Sequence, residues 1–398
     1  MSPEWTLSPE VEQVIPEVIA TRRDLHQHPE LGYQERRTAG IVAERLRALG
    51  VPVRTGIAET GVVGLVRGHH EGATVMLRAD MDALPLQEAT GLPYASQTPG
   101  VMHACGHDGH TAMLLGAARV LAETRDQLRG CVKLVFQPAE ESYGGAQRLV
   151  EAGVLRDPEV SAAFGLHLWN TLPLGTVGIT AGPAMASTDS FTLTLRGKGG
   201  HAAAPHQAAD PVVAAAHFVV AAQSVVSRTA DPLRPAVFTI GAIHGGEAAN
   251  IIPEEVVLRG TLRTLDADTR ARLVERIRAV LMGTAAAHGV SGIVDHRRGY
   301  PCLVNDESAC ALARAAAASV VGASHVVAPH PTMGGEDMAY YLQVVPGCYL
   351  WLGSASSADG AGVPHHNPRF QFDERALGIG VEILVRLARQ FLEQAAAG

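Results

Sequence analysis

The sequence predicts a discontinuous α/β domain built on a mostly parallel sheet, with a smaller ferredoxin-like α+β domain inserted into it. Its 398 residues exceed what one hydrophobic core usually organises. Up to about residue 186, short apolar strands alternate with helix-like segments, the signature of a parallel sheet covered on both faces. Between 187 and 297 the order becomes strand, helix, strand, strand, helix, strand, the split βαβ pattern of a ferredoxin-like unit. The expected division is therefore 1–186, 187–297 and 298–398, with the first and last parts forming one domain.

Each element has a local reason. "TAGIVAERLRALG" places apolar residues at helical spacing and stops at Gly50; "TVMLRADMDALP" is an apolar strand running into a polar end and a proline. "HTAMLLGAARVLAE" reads as an amphipathic helix, and "CVKLVFQPAEE" and "AAFGLHLWN" as apolar strands ending in polar residues. The insert reads as strand "FTLTLRG", a helix over 210–227, strands "AVFTIGAI" and "EEVVLRGTLRTL", helix "ADTRARLVERIRAVLMGTAAAHG" and strand "GIVDHRR". After it come a helix, strand "CYLWLG", a glycine- and serine-rich loop and a final amphipathic helix. The most apolar segment, "PVVAAAHFVVAAQSVV" at 211–226, is broken by His217 and Gln223 and too short to span a membrane, so it is expected as a buried core helix.

Composition excludes several classes. An apolar fraction of 47% with 18% charged residues is that of an ordinary globular protein. A net charge of −8 offers no footprint for a phosphate backbone or an anionic membrane, so neither nucleic acid nor membrane is an expected partner. Cys105, Cys131, Cys302, Cys310 and Cys348 are odd in number, scattered and without a CxxC pair, which fits a reducing compartment rather than a disulfide framework. The acidic start "MSPEWTLSPEVEQVIPEVIA" lacks the basic and apolar blocks of a signal peptide, and the expected location is cytoplasmic.

Chemistry concentrates at the predicted carboxyl ends of strands, where ligands gather in parallel sheets. Asp80, Asp82, Glu140, Glu141 and His167 all fall there. Cys105 and His107, two apart before a helix, suit a borderline-soft divalent metal; the pair alone equally fits a buried thiol beside a capping histidine. His103 and His110 are read as packing, capping or hydrogen-bonding residues. Adjacent Glu140 and Glu141 cannot both face one way, so one can ligate while the other moves a proton; the competing reading is a solvated acidic loop, which His167 in an apolar strand weakens. "GKGGHA" formally fits a dinucleotide fingerprint but precedes a proline and lacks the distal acidic residue, and there is no P-loop, HExxH or GxSxG.

Together, "HQHPELGYQE", "RADMDALP", "MHACGHDGHTAMLLGAA", "FQPAEES", "GLHLWN", "GKGGHAAAPHQAADPV", "ANIIPEEVVLRGTLRT", "MGGEDMAYY" and "HHNPRF" resemble the M20 amidohydrolase family of metallopeptidases over essentially the whole chain, in its hippurate hydrolase, N-acyl-amino-acid amidohydrolase and auxin-conjugate hydrolase branches. The resemblance implies metal ligands at Cys105, His107, Glu141, His167 and His366, the last being the histidine before Asn-Pro; a one-residue register shift would substitute His365. It implies Glu140 as the general base that later protonates the leaving amine, and Asp82 as the residue orienting a ligand. Five ligands exceed one tetrahedral site, so two divalent ions are expected, of zinc, manganese, cobalt or nickel, with Cys105 where peptidase relatives often have a bridging carboxylate.

In the insert, the resemblance implies that Asn250 and Arg263 bind the substrate carboxylate and that His201 stabilises the oxyanion across a homodimer formed by this lid. A strand-surface salt bridge is the plainer role for Arg263, and a turn cap for His201. The implied reaction is hydrolysis of N-acyl-L-amino acids, hippurate-like or N-acetyl, to a carboxylate and an amino acid. The alternatives are an N-acetyl-diaminopimelate-type deacetylase or a small-peptide aminopeptidase or carboxypeptidase on the same scaffold. A non-catalytic metal-binding protein would be expected to lose Glu140 or a ligand, and none is lost.

Overall fold

The computed structural model describes residues 5–141, 144–356 and 362–397. Two compact units emerge: one comprises the chain up to Gly182, Val304–His330 and Tyr340 onward; the other comprises Pro183–Leu303 and Pro331–Ala339.

The first unit is built on an eight-stranded sheet. Its centre is parallel: His70–Asp80 lies between Arg129–Gln137 and Ala162–Pro173, and the latter pairs on its other side with Gly347–Ala355. These strands read as continuous apolar runs because both faces are covered, with Val75, Met76, Leu77, Leu134, Phe136 and Phe164 fully buried. Antiparallel pairing enters toward the edges, where the hairpin of Val53–Ile57 and Gly61–Arg67 joins Arg129–Gln137. That hairpin's first strand, Val53–Ile57, is short and largely exposed, with no apolar alternation to mark it in the sequence.

Helix His107–Glu123 departs from the expected amphipathic pattern: nearly every residue in it is buried. Helices Pro9–Gln27 and Arg375–Ala397 and the sheet enclose it, and a helix enclosed all round has no polar stripe to keep. Arg22 of the first helix carries a buried ionic brace to its first turn. Nε lies 2.9 Å from Asp108 Oδ2, the guanidinium sits 4.3 Å over the Phe372 ring, and His26 Nδ1 is 2.8 Å from the same Asp108 oxygen. The glycine- and serine-rich loop expected after Gly347–Ala355 lies partly outside the described residues.

The second unit carries a four-stranded antiparallel sheet. Ser187–Arg196 pairs with Glu255–Thr264 on one side and Ser291–Arg298 on the other, and Ala236–His244 flanks Glu255–Thr264. Numbered by their order in the unit, the strands run 4-1-3-2, the ferredoxin-like arrangement. Helices Pro211–Ser227 and Ala267–Ala287 pack on it through Phe218, Leu273, Ile277 and Leu281. The 211–226 segment is half-buried rather than a core helix: Ala214, Phe218, Ala222 and Val225 face inward, while Val212, Val213 and Val220 stay exposed. Among the described residues no helix is long and apolar enough to cross a membrane.

The Arg22 brace yields a stability prediction. Arg22→Met leaves Asp108 buried with neither a permanent cation nor a side-chain bond other than that of His26 among the described residues, and breaking a buried pair in this way costs about 3–5 kcal/mol. Denaturant unfolding should show that loss, and Arg22→Met with Asp108→Leu should recover most of it. Equal stability of wild type and single variant would refute the brace.

Candidate metal centre

The parallel strands of the first unit deliver their polar residues to one end. His70–Asp80 passes on to Asp82, and Arg129–Gln137 runs into Ala139, Glu140 and Glu141. Ala162–Pro173 carries His167 two residues beyond Gly165, its last pairing with His70–Asp80. Helix His107–Glu123 starts at the same end, and Gly106, at φ +94° in the left-handed region that glycine enters freely, makes the turn between Cys105 and His107.

The donor atoms of Cys105, His107 and His167 lie within 4.8 Å of one another, as do those of Cys105, Glu141 and His366, and those of His107, Glu140 and Glu141. Cys105 Sγ is 3.5 Å from His167 Nε2, and Glu141 Oε1 is 3.2 Å from His366 Nε2 and 3.8 Å from His107 Nε2. Cys105 thus belongs to two donor triads. His366 reaches its triad from a left-handed backbone, φ +60°, with its N–H bonded to the Ala104 carbonyl at 2.8 Å. Its neighbour His365 turns elsewhere, with Nε2 2.8 Å from the Leu168 carbonyl.

Hydrogen bonds aim the donors. His107 Nδ1 lies 2.9 Å from the Asp82 carbonyl oxygen, so its N–H donates there and the Nε2 lone pair faces the cluster. The Asp82 carboxylate accepts the N–H groups of Glu140 at 3.0 Å and Glu141 at 2.9 Å. His167 Nδ1 is held at 2.6 Å by the Leu168 carbonyl. His110 is fully engaged: the Leu168 N–H donates to Nε2 at 2.9 Å, so Nδ1 carries the proton and donates to Asp80 at 2.6 Å. It therefore keeps no lone pair for a cation, although Asp80, His107 and His110 lie close together. Neither nitrogen of buried His103 has a hydrogen-bond partner among the described residues, and burial pushes that imidazole down to about 4. Sequence reading missed Arg78, whose Nη1 holds Asp80 at 2.7 Å; the available signal was an arginine two residues before Asp80, on the same strand face.

The electrostatics fit a cation. Burial, reinforced by Glu141, Glu140 and Asp80, pushes the Cys105 thiol well above its ordinary range. Burial opposes charge on His107 as well, yet Asp80 and Asp82 drive that imidazole up to about 10. Burial drives His167 well below the ordinary value. Among the described residues, His107 Nε2 and Glu141 Oε1 are buried without a hydrogen-bond partner. Carboxylates that demand positive charge, beside a thiol holding its proton, are the environment a divalent ion neutralises, and sulfur, imidazole and carboxylate donors suit a borderline-soft one.

The remaining candidates lie in the second unit. His201 and Asn250 share a small ladder, where His201 pairs with Ile251 and the Ala202 N–H donates to the Asn250 carbonyl at 3.0 Å. His201 is exposed, and its Nδ1 accepts from the Ala203 N–H at 3.0 Å, leaving the proton on Nε2. Arg263 stands apart on Glu255–Thr264, half-buried, with Nη1 3.2 Å from the Leu262 carbonyl.

Comparison with known proteins bears on this architecture. The family described as peptidase family M20/M25/M40 matches residues 76–390. N-acetyl-L-cysteine deacetylase of Bacillus subtilis (strain 168) is 42% identical over 377 residues, covering 95% of this chain and 88% of that protein. IAA-amino acid hydrolase ILR1-like 4 of Arabidopsis thaliana is 41% identical over 379 residues, covering 94% and 86%. Among solved structures, a dinuclear metal binding peptidase of the M20 family from Bacillus subtilis superposes with a TM-score of 0.83 at 36% identity, covering 96% of this chain and 99% of that one. The matched span takes in every strand end that contributes to the cluster, so the resemblance read from the motifs holds, and the chain belongs to peptidase family M20/M25/M40.

Proposed function

We propose that this hydrolase is a two-metal amidohydrolase cleaving N-acyl-L-amino acids, hippurate-like or N-acetyl, into a carboxylate and a free amino acid. The observation that carries the reading is Cys105 standing in two donor triads with the buried Glu140 carboxylate beside them. Cys105, His107, Glu141, His167 and His366 hold the ions. Bound there, divalent cations polarise the amide carbonyl and lower the pKa of water toward 7.

The protein's own groups perform the proton work. Glu140 takes a proton from the attacking water and returns it to the leaving amine, and Asp82 fixes the Glu140 backbone through its N–H. In the inserted domain, Arg263 makes no salt bridge among the described residues, which supports a role for its guanidinium in binding the substrate carboxylate; Asn250, next to a separate small ladder, is assigned to the same carboxylate. His201 keeps an exposed Nε2–H for a developing oxyanion, supplied across a homodimer. Exposed Val212, Val213 and Val220 on Pro211–Ser227 support contact between copies through this domain.

The substrate class draws on the relatives: one is named for an N-acetyl amino acid and another for IAA-amino acids. The solved relative, a dinuclear metal binding peptidase, favours a second reading, a small-peptide aminopeptidase or carboxypeptidase on the same scaffold. Hydrolysis of N-acetyl and N-benzoyl amino acids measured against dipeptides decides between them; faster turnover of dipeptides would sink the first reading.

The adjacent glutamates should fail differently. Glu140→Gln should lower kcat by about 10²–10⁴ with metal content unchanged, whereas Glu141→Gln and Cys105→Ala should lose metal first, read by elemental mass spectrometry. Equal metal loss in both glutamate variants contradicts the assignment. Inactive His201→Ala and Glu140→Ala proteins, unfolded and refolded together, should regain partial activity in mixed dimers. Mixed dimers seen by native mass spectrometry that remain inactive would exclude the shared site.

A further inference from the structure

We infer that Glu35 is a positioning residue for this reaction: with Thr60, it holds the Ala139 backbone in a left-handed conformation and so aims Glu140 and Glu141. The inference rests on the roles proposed above for those two glutamates.

Glu35 is completely buried, a rare state for a glutamate without a charged partner, and among the described residues no cation pairs with it. Burial, with the nearby Asp82 charge adding to it, pushes its carboxyl up to about 7. Two groups hold it: the Thr60 hydroxyl donates to Oε2 at 2.6 Å, and the Ala139 N–H donates to Oε1 at 2.8 Å. Its place before helix Arg36–Ala48 invites reading it as that helix's cap, but its side chain makes no capping bond. Glu30 does that work, accepting from the N–H groups of Arg37 at 2.9 Å and Thr38 at 2.8 Å. The Glu35 carboxylate is thus committed across the fold to Ala139 and Thr60.

Ala139 has φ +55°, a conformation that its Cβ disfavours and that must be over-determined by its surroundings to persist. Three successive N–H groups end on two buried carboxylates: Ala139 on Glu35, Glu140 and Glu141 on Asp82. The Ala139 carbonyl accepts from the Gly145 N–H at 3.2 Å, at a glycine whose Cβ would fall 1.7 Å from the Pro138 oxygen. Asp82 alone cannot set the direction in which the chain enters Glu140, because both its bonds lie after Ala139. Glu35 supplies the anchor before it.

The test uses the 398-residue protein loaded with zinc, and reads kcat, KM and zinc affinity by chelator competition on the folded fraction. Glu35→Ala should lower kcat by about 10²-fold with KM changed less than about 3-fold, since small misplacement of a catalytic group costs on that order. Zinc affinity should fall about 10-fold through Glu141. Glu35→Gln keeps an acceptor for the Ala139 N–H and should stay within about 3-fold of wild type in both readouts. Adding Ala139→Gly to Glu35→Ala should restore at least about 5-fold, because glycine adopts positive φ without cost.

A purely structural Glu35 predicts folded Glu35→Ala with unchanged kcat and zinc affinity and no rescue by glycine, and that result overturns the inference. Should Glu35→Ala not fold, Thr60→Val, which removes one of the two holds on Glu35, carries the test; unchanged kcat and zinc affinity there overturn it equally. Zinc affinity does not depend on the substrate class. A fall in affinity rescued by glycine, in a protein that hydrolyses no N-acyl amino acid, would therefore reject the substrate reading while sustaining the role of Glu35.

Discussion

Asp82 ties together the two halves of the cluster that the chain brings from different places. Its carbonyl takes the imidazole Nδ1–H of His107 at the start of a helix, and its carboxylate takes the backbone N–H groups of Glu140 and Glu141 at the end of a strand. The Asp82 carboxylate also lies 3.3 Å from the same imidazole nitrogen, so helix start and strand end are fixed to one residue. A buried carboxylate is costly unless its lone pairs are occupied, and here backbone donors occupy them. Around this knot the geometry follows: Gly106 turns the chain between Cys105 and His107, His110 spans Asp80 and Leu168, and His366 enters from a left-handed turn bonded to Ala104.

The same cluster accounts for what is spent in stability. Burial and carboxylate charge together push the Cys105 thiol up, while at His107 burial opposes the charge that Asp80 and Asp82 impose. Such perturbation marks groups retained for chemistry rather than for packing. The cost is offset nearby by the enclosed helix His107–Glu123, which is gripped by two other helices and by the Arg22–Asp108 pair one residue from His107.

Much of this was legible in the sequence, for identifiable reasons. Apolar runs that end in Asp80, in Glu140 and around His167 announce strands whose ends carry donors, and Cys105 and His107 are close enough in the chain to be read together. The split βαββαβ order of the insert was readable because each element has its own period. The Asn-Pro step singles out His366 in the sequence; what separates it from His365 in space is backbone geometry, φ +60° and a bond to Ala104, which no periodicity encodes. Glu35 was hidden for a different reason: a lone glutamate before a helix looks like a cap, and only the bonds of Glu30 show that the capping role is filled. The enclosure of His107–Glu123 was equally hidden, since alanine and glycine are neutral between surface and core.

The second unit is made of two pieces of chain, Pro183–Leu303 and a short return, Pro331–Ala339. The return is stitched to the first piece by backbone bonds: Thr332 N–H to the Ala184 carbonyl at 3.0 Å and Ala186 N–H to the Gly334 carbonyl at 2.8 Å. The chain therefore passes between the units at 182/183, 303/304, 330/331 and 339/340. A gene fragment cut at the ends of the longer piece would express the sheet without the strip that pairs with 184–186, the residues leading into its first strand, and would leave that strip unpaired in the remainder. For recombination, by an engineer or by evolution, this insert is not an exchangeable cassette: grafting another in its place requires rewriting 331–339 at the same time.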